Sequence, residues 1–287
     1  MSAEGQKSPP GLSEASRYWD QVLDPQNLER EEAGPALPLE TEIAFAETPD
    51  LAAARAWMAP GGTPPRWTVD LGAGLGATAF ALARAGCRVI AVDTSIARMR
   101  ALRERAARAG VADRVTAIVA SAEFLPFAAG SIGALYTRAV LIHVDLDGAG
   151  REIGRILAPG GRAALLEPTT GNPLVNLYRR FLAPKAWAAI THYFDEASQR
   201  QIAERACPGA PYRVEPFFFI AFLAFVFQFG RPSRALFRLF LAPLAAVDRL
   251  LFKIPPLRRL AWFGVIELEK PNGLVGAGDV SMTIKKR

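Results

Sequence analysis

Short apolar segments alternate with longer helical patterns from residue 67 onward. The apolar runs predict five β-strands, over residues 67–71, 88–92, 114–119, 131–137 and 162–167. Between them, apolar positions at helical spacing predict helices over residues 77–85, 96–109 and 146–157, which end at Gly86, Gly110 and Pro159. Strands separated by helices in this way are typical of βαβ units, so we expect an α/β fold with a mostly parallel sheet.

The pattern changes on either side of this alternating region. Before it, residues 13–28 and 49–58 predict two helices. After it, residues 195–207 predict a helix with Asp195 as its N-cap, and residues 212–219 predict a sixth strand. Apolar residues alternate over 278–286 and predict a seventh strand that closes the sheet. Residues 221–276 would then form an insert before the last strand.

The composition agrees with a folded α/β protein. The chain has 287 residues, 51% of them hydrophobic and 22% charged, which excludes a disordered or collagen-like chain. The two cysteines, Cys87 and Cys207, are too few for a disulfide framework or a four-ligand zinc site. The first residues lack a basic segment followed by an apolar run, so we expect no secretory signal and a cytoplasmic protein.

Charge is distributed unevenly along the chain. The net charge of +6 divides into −7 over residues 1–48, +4 over residues 49–170 and +9 over residues 171–287. The basic C-terminal part indicates either a negatively charged partner or a solvated face. Its basic residues accompany apolar ones and not a polar groove with stacking aromatic rings, so we expect no nucleic-acid partner.

A glycine-rich turn follows the first strand of the alternating region. Residues 69–76 read VDLGAGLG, so a strand ends, the chain turns tightly and a helix begins. Glycines let the backbone approach a ligand there, and the helix N-terminus offers free N–H groups. Asp93 ends the next strand, where a carboxylate can accept hydrogen bonds from both ribose hydroxyls of a nucleoside. The spacing Gly72-x-Gly74-x-x-Ala77 also fits a relaxed dinucleotide fingerprint.

Asp70 separates the two interpretations of this turn. A pyrophosphate would be repelled by a carboxylate two residues before the first glycine. A ligand that carries an ammonium and a sulfonium would be attracted by the same carboxylate. The sequence therefore favours a cationic nucleoside ligand over a nicotinamide dinucleotide.

Five motifs occur in the order, and at the spacing, of a known family. They are residues 69–76 (VDLGAGLG), 92–95 (VDTS), 121–127 (SAEFLPF), 141–144 (LIHV) and 152–161 (EIGRILAPGG). The region that they cover, roughly residues 67–170, resembles the class I S-adenosylmethionine-dependent methyltransferases. The resemblance implies a Rossmann-like fold, a mostly parallel seven-stranded sheet and S-adenosyl-L-methionine as the cofactor.

The resemblance also implies which residues hold the cofactor. They are Asp70, Gly72, Ala73, Gly74, Gly76, Asp93, Thr94, Ser121, Ala122, Glu123, Thr137, Arg138 and Tyr18. In this scheme the glycine turn passes under the methionine part, and Asp93 holds the ribose. Thr137 and Arg138, at the end of the fourth strand, would face the methionyl group.

Two of these positions carry an alternative. Ser121, Ala122 and Glu123 would edge the adenine, but an Asp is common in the family where Ser121 stands, and a serine oxygen accepts a hydrogen bond more weakly. Tyr18 and Trp19 lie where an N-terminal helix of the family often covers the site, and they alternatively only pack against the domain.

The reaction sets modest demands on the protein. Methyl transfer from a sulfonium is an in-line displacement, so the protein mainly positions the reactants and excludes water. A general base is needed only for a poorly acidic hydroxyl or a protonated amine. His143, His192 and Glu167 are the candidates. His143 alternatively only shapes the pocket at the start of a helix, and His192 lies in a region that covers the active site in many relatives and would touch the substrate. Two histidines and scattered carboxylates do not suggest a ligand set, so we predict no metal.

The insert raises the question of a membrane. Residues 216–230 read PFFFIAFLAFVFQFG, and a basic amphipathic stretch follows over residues 231–259. Fifteen uncharged residues are short of the ~20 that span a bilayer. Pro243, Pro255 and Pro256 predict a set of short helices whose apolar faces are edged by arginine. Three interpretations stay open: docking on the inner face of an anionic membrane, a homodimer interface or substrate lid, and a transmembrane hairpin.

These observations divide the chain into five parts. They are an acidic N-terminal segment (1–48), a cofactor-binding core (49–170), a substrate-side cap with the sixth strand (171–220), the basic insert (221–276) and the closing strand (277–287). We predict O- or C-methylation of a lipophilic small molecule, at the membrane surface in one version. The alternatives are a soluble natural-product methyltransferase whose insert is a lid or dimer face, and a non-catalytic cofactor-binding scaffold.

Overall fold

The computed structural model describes residues 38–64, 67–181, 191–228 and 232–272. The helix expected over residues 13–28, with Tyr18 and Trp19, lies outside the described residues. The first helix of the described residues, α1 (Leu39–Ala46), was not predicted from the sequence pattern. It precedes the expected helix α2 (Pro49–Met58), in which Pro49 occupies the first turn, where no backbone N–H is needed.

The alternating region forms close to its expected boundaries. Its strands are β1 (Thr68–Leu71), β2 (Val89–Asp93), β3 (Val115–Val119), β4 (Ile132–Arg138) and β5 (Leu157–Pro168). Its helices are α3 (Ala77–Arg84), α4 (Ile96–Arg108), a 3-10 turn (Leu141–His143) and α5 (Leu146–Ile156). Side chains cap two of these helices, since Ser95 accepts from the Arg98 N–H and Asp145 accepts from the Gly148 N–H.

The elements after β5 complete the sheet and its cover. They are α6 (Pro173–Phe181), α7 (Glu196–Ala206), β6 (Tyr212–Phe217), a 3-10 helix (Ala221–Gln228), α8 (Arg234–Leu251), α9 (Pro255–Arg258) and β7 (Phe263–Glu269). Asp195 is the N-cap of α7, as expected, and its carboxylate accepts from the Ser198 N–H at 2.8 Å.

The seven strands form one sheet in the order β3-β2-β1-β4-β5-β7-β6. Strands β1 to β5 pair in parallel, and β7 runs antiparallel to both β5 and β6. The expectation of a Rossmann-like, mostly parallel seven-stranded sheet is confirmed. The strand order reverses between β1 and β4, and a crevice opens at the carboxyl ends of strands at such a point.

The position of the last strand differs from the prediction. The seventh strand was expected over residues 277–287, which lie outside the described residues, but β7 comes from Phe263–Glu269, inside the range assigned to the insert. Six of its seven residues are buried, because β5 and β6 flank it on both edges and helices cover both faces. A strand that is buried on both faces has a continuous apolar sequence without alternation. Its sequence therefore could not be distinguished from the apolar insert around it.

Two apolar cores lie on opposite faces of the sheet. On one face, α1 to α4 pack together with the insert, and Phe80, Leu102 and Phe237 are among the buried residues. On the other face, α5 and α7 pack over Leu135 and Ile266. The fold therefore has the helix–sheet–helix layering of doubly wound α/β domains.

The insert is less fragmented than predicted. Pro243 was expected to break it, yet α8 continues through this residue for 18 residues in all. Proline removes one backbone donor, and Pro243 and Leu239, whose carbonyl loses its partner, are both exposed, so the interruption lies on the solvent side of the helix. Within the part of the chain that the structure describes, no helix combines the length and apolarity needed to cross a membrane.

Much of the uncharged stretch is core. Phe218 is buried, and its ring makes edge contacts with Phe225 and Phe263. The Asp248 carboxylate of α8 accepts the backbone N–H groups of Phe219, Ile220 and Ala221 at 2.9, 2.9 and 3.1 Å. A single buried carboxylate thus ties the start of the 3-10 helix to α8.

Candidate functional site

A polar cavity of about 230 Å³ lies in the crevice at the carboxyl ends of β1 and β4. The side chains and backbone around it come from the ends of β1, β2, β3 and β4 and from the turns that follow them. They are Leu71, Gly72, Asp93, Thr94, Arg98, Ala120, Ser121, Ala122, Arg138, Ala139, Val140, His143 and Val144. Six of the thirteen expected cofactor-binding residues are in this set: Gly72, Asp93, Thr94, Ser121, Ala122 and Arg138.

The glycine turn is shaped by steric demands of two kinds. Gly72 has a φ of +74°, and a Cβ there would lie 2.1 Å from Val140 Cγ2, so only glycine fits this part of the cavity wall. Gly76 begins α3 with a φ of +92°, and a Cβ there would lie 2.4 Å from the Phe80 ring. Gly76 therefore permits close helix–sheet packing and does not line the cavity, and neither do Ala73 and Gly74.

Asp93 holds the glycine turn in place while it faces the cavity. Its Oδ2 accepts the Gly74 N–H at 2.9 Å and its Oδ1 accepts the Ser95 N–H at 3.0 Å. The Arg98 guanidinium lies 4.0 Å from Oδ2. A carboxylate has about four acceptor positions, so Asp93 can accept two further hydrogen bonds from a diol in the cavity.

Residues 121–123, which were expected to edge an adenine, do not all lie at the cavity. Ser121 and Ala122 line the cavity, whereas Glu123 does not. Glu123 Oε1 accepts the Asp145 N–H at 2.9 Å, at the start of α5. The Ser121 hydroxyl accepts the Glu123 N–H at 3.3 Å, a long bond that leaves the oxygen able to accept or donate again.

Buried carboxylates surround Arg138 behind the cavity wall. Asp50 of α2 is fully buried, and its Oδ2 lies 3.8 Å from Arg138 Nη2. Asp70 is also buried, and burial raises its pKa to about 7, with the nearby charge of Asp93 adding to the rise and Arg138 opposing it. Asp70 Oδ2 and both oxygens of Asp50 have no hydrogen-bond donor among the described residues. Neither residue lines the cavity, so these acceptors act on a ligand there through their charge and not by direct contact.

Thr137 and Glu167 lie beneath the cavity wall and not in it. The buried Thr137 hydroxyl donates to Glu167 Oε1 at 3.0 Å, and the same oxygen accepts the Leu141 N–H at 3.1 Å and the Val140 N–H at 3.3 Å. Burial raises the pKa of Glu167 to about 7, against these hydrogen bonds, which lower it. Glu167 lines neither this cavity nor the one described next. Its hydrogen bonds instead hold the turn that carries His143 in place.

A second cavity, of about 290 Å³, adjoins the first and is largely apolar. It is enclosed by Ala139, Ile142, His143, Pro168, Val175, Tyr178, Arg179, Thr191, Tyr193, Trp262 and Phe263. Ala139 and His143 line both cavities, so the two spaces meet there. Ala139 has a φ of +54°, an uncommon conformation for alanine that turns the chain between the two spaces.

The two histidines occupy different positions. His143 stands at the junction of the polar and apolar cavities. His192 is exposed and lines neither cavity, although its N–H donates to the Ile142 carbonyl at 2.8 Å and its neighbours Thr191 and Tyr193 line the apolar one. Only His143 therefore retains the placement expected of a general base.

One wall of the apolar cavity is locked by Arg179. Its guanidinium lies 3.5 Å from the centre of the Tyr193 ring, and Nη1 donates to the Thr169 carbonyl at 2.6 Å and to Asn176 Oδ1 at 3.0 Å. Burial lowers the pKa of Arg179. These contacts fix the position of the Arg179 side chain in the cavity wall.

Sequence reasoning missed several residues of this region, among them Arg98, Ala139 and Asp50. Arg98 lines the polar cavity. The sequence could have indicated it, because a basic residue in the first turn of a helix is unfavourable and therefore suggests a role in binding. Ala139 carried no signal. Asp50 read as an ordinary acidic residue at a helix N-terminus, and only the fold shows its contact with Arg138.

No cluster of three His, Cys, Asp or Glu side chains within the described ranges is arranged to hold a metal ion.

Comparison with known proteins places the site within a recognised domain. Residues 69–165 match the family described as "Methyltransferase domain". The ubiquinone/menaquinone biosynthesis C-methyltransferase UbiE of Brucella anthropi is 36% identical over 116 residues, which cover 39% of this chain and 44% of that protein. Methyltransferase GfsG of Streptomyces halstedii is 36% identical over 101 residues, or 34% of this chain and 36% of that protein. The chain thus spans less than half the length of these relatives.

The fold is also that of solved methyltransferases. Geranyl diphosphate C-methyltransferase from Streptomyces coelicolor A3(2), in complex with Mg²⁺, geranyl diphosphate and S-adenosyl-L-homocysteine, aligns with a TM-score of 0.56 and 17% identity. The alignment covers 92% of this chain and 100% of that one. At this identity the likeness concerns the fold alone.

Proposed function

Because residues 69–165 form a class I methyltransferase domain, we propose that this protein transfers a methyl group from S-adenosyl-L-methionine to a lipophilic small molecule. The observation that carries the proposal is the meeting of a polar cavity and an apolar cavity at Ala139 and His143. A reaction between a charged nucleoside and an apolar acceptor needs a polar and an apolar cavity that adjoin, because the reacting atoms must come into contact.

The residues of the polar cavity fit the proposed cofactor. Asp93 has acceptor positions left for a ribose diol, and Ser121 and Ala122 edge the space where adenine would lie. Arg138 suits the carboxylate of the methionyl group, whereas Asp70 lies behind the cavity wall and does not line it. The cofactor supplies an activated methyl group on a sulfonium.

The chain's own residues would position the acceptor and exclude water. Trp262, Phe263 and Val175 surround an acceptor with apolar side chains, which disfavours water as a competing nucleophile. His143, at the junction, would take the proton of a hydroxyl acceptor as the new bond forms. For an acidic carbon acceptor, the same histidine would accept the proton that the methylated carbon loses.

The relatives support a lipophilic acceptor. UbiE acts in ubiquinone and menaquinone biosynthesis, and the structural neighbour binds geranyl diphosphate. We infer an acceptor of comparable apolarity here, methylated on carbon or oxygen, because the adjoining cavity is walled mainly by apolar side chains.

We infer further that the protein docks peripherally on an anionic membrane. One side of α8 is buried, while its other side exposes a stripe of apolar residues: Leu236, Leu239, Phe240, Val247 and Leu250. Helix α6 exposes Leu174, Leu177, Tyr178 and Phe181, and Tyr178 also lines the apolar cavity. An apolar stripe flanked by arginine is typical of a helix lying at a membrane interface. A lipophilic acceptor would reach the cavity from that side.

A label-transfer assay tests the enzymatic proposal. Methyl-labelled S-adenosylmethionine is incubated with the protein and either a lipid extract or an aqueous extract of the source cell. We expect label in the organic phase with wild type, and its loss in Val175→Phe, which fills the apolar cavity. The control Leu174→Phe changes an exposed neighbour that does not line the cavity and should keep activity.

The alternatives predict other results from the same assay. Label confined to water-soluble products would favour a soluble natural-product methyltransferase with the insert as a lid or dimer face. Cofactor binding without label in either phase would favour a non-catalytic scaffold.

Vesicle flotation tests docking separately. Leu239→Gln with Leu250→Gln should abolish flotation, whereas Ile96→Gln with Val119→Gln, which polarises equally exposed residues elsewhere, should not. Equal flotation of both double variants would contradict the role of α8.

A further inference from the structure

A third cavity, of about 680 Å³, opens between α2, β6 and α8. It shares no wall residue with the polar and apolar cavities of the candidate site. This groove therefore has no part in the proposed methyl transfer.

The floor of this α2–β6–α8 groove is apolar. Pro216, Phe218 and Phe252 are buried there, and Phe217 and Ala245 are partly buried. A groove with this floor can hold a few methylene groups of a ligand away from water.

Six charged residues line the groove, and four of them have their charge or polar atoms engaged by the protein. Arg213 pairs with Glu267 at 2.8 Å and with the fellow lining residue Glu215 at 3.1 Å. Asp248 accepts three backbone N–H groups, and Arg258 donates to the Val214 carbonyl at 3.0 Å.

Arg249 and Lys253 are different. Neither side chain has an ion pair or hydrogen bond with another described residue, although both line the groove. Arg249 lies in the last turn of α8, and Lys253 follows two residues after the helix ends at Leu251. Because both line the same groove, their like charges repel each other. An anion between them would turn this repulsion into two attractive contacts.

The two cations also border the exposed stripe of α8. At about 100° per residue, Arg249 lies about 110° around the helix from the centre of the stripe formed by Leu239, Val247 and Leu250, and Lys253 follows the end of the same helix. A membrane that touches the stripe would therefore present its head groups at the level of the groove.

We propose that the α2–β6–α8 groove binds an anionic phospholipid from the membrane. Arg249 and Lys253 hold its phosphate, and the apolar floor holds the first methylene groups of an acyl chain. This rests on the membrane docking proposed above, but not on methyl transfer, because the groove is separate from both cavities of the candidate site.

Titration calorimetry with a monomeric short-chain lipid tests the proposal. The probes are dihexanoyl phosphatidylglycerol below its micelle concentration, the matching phosphatidylcholine and inorganic phosphate. We expect saturable one-site binding of phosphatidylglycerol alone. Arg249→Gln with Lys253→Gln should weaken this binding about 30-fold. Each basic residue close to an anionic lipid raises the affinity about 5-fold, and the double variant removes two of them. The control Arg108→Gln with Arg200→Gln removes the same charge from exposed positions outside the groove and should change it less than about 3-fold.

Three outcomes would overturn the proposal. They are the absence of saturable binding, equal binding of inorganic phosphate, and equal losses in the two double variants. Methyl transfer to a detergent-solubilised acceptor is measured in parallel, and Arg249→Gln with Lys253→Gln should leave it unchanged. Failure of the lipid site with intact transfer, or failure of transfer with intact lipid binding, thus separates the two claims.

Discussion

Replacement of Gly72 by alanine probes the wall of the polar cavity more directly than any charge substitution. The residue has a φ of +74°, and its added Cβ would lie 2.1 Å from Val140 Cγ2. Gly110 provides a matched control, because its φ is +70° and a Cβ there meets nothing within 4 Å. The two substitutions therefore share the backbone strain and differ in the steric overlap.

The expected magnitudes follow from these two causes. Alanine in the left-handed region costs about 1–2 kcal/mol, and overpacking against a fixed neighbour adds about 1–3 kcal/mol. Gly72→Ala should lower the free energy of unfolding by about 2–5 kcal/mol, and Gly110→Ala by about 1–2 kcal/mol. Because Val140 also lines the cavity, its displacement should weaken binding of S-adenosylhomocysteine only in Gly72→Ala.

Urea unfolding and titration calorimetry measure the two effects. The double variant Gly72→Ala with Val140→Ala removes the two methyl groups that the new Cβ would strike. Its loss of stability should be smaller than the sum of the two single losses, with a coupling energy of about 1 kcal/mol or more.

Two results would refute this reasoning. If Gly72→Ala were no less stable than Gly110→Ala, the close approach to Val140 would be incorrect. If the effects of Gly72→Ala and Val140→Ala were additive, the cause of the loss would lie elsewhere than in this contact.

Three further substitutions address the charges and the junction of the cavities. The pKa of Asp70 is raised to about 7 from its ordinary value near 3.8, so its contribution to stability is full below about pH 4 and is lost as the pH rises to about 7. Asp70→Asn should flatten the fall in unfolding free energy between about pH 4 and pH 7 in urea titrations, leaving the part due to Glu167, whose pKa is raised alike. Arg138→Gln should weaken S-adenosylhomocysteine binding about 10- to 100-fold by calorimetry. It should also lower the free energy of unfolding by about 3–5 kcal/mol, because it leaves Asp50 buried without a cation. Adding Asp50→Asn should restore the stability but not the affinity. His143→Gln should lower kcat about 100-fold or more for a hydroxyl acceptor, with a changed pH profile and an unchanged KM, whereas a residue that only shapes the cavity would alter KM.

The parts of the site that the sequence predicted are those built from adjacent residues. Asp93 and Arg138 end their strands, and Gly72 and Ser121 follow theirs by one or two residues. Parallel strands bring their carboxyl ends together at one edge of the sheet. Short-range spacing was therefore enough to place them around one cavity.

Contacts between distant segments were not predictable in this way. Asp50 meets Arg138 only because α2 packs over β4 and β5, and nothing near residue 50 records that neighbour. Glu167 was expected to face the reactants, since it ends β5 beside the crevice. The pleat directs its carboxylate instead under the turn that carries Val140 and Leu141.

The insert shows the limits of pattern alone. An uncharged aromatic run reads the same whether it packs on a protein core or enters a lipid surface. Phe218 and Phe237 are buried in the core, while Leu239 and Leu250 of the same segment are exposed. The strand β7 was hidden in this segment because a strand buried on both faces has no alternation to reveal it.

A crystal structure of the protein with S-adenosylhomocysteine tests the central claim most directly. The account predicts the ribose at Asp93, the methionyl carboxylate at Arg138 and the sulfur atom facing Ala139 and His143, towards the apolar cavity. A sulfur atom that faces away from that cavity, or a ligand bound elsewhere, would contradict the assignment of the two cavities to cofactor and acceptor.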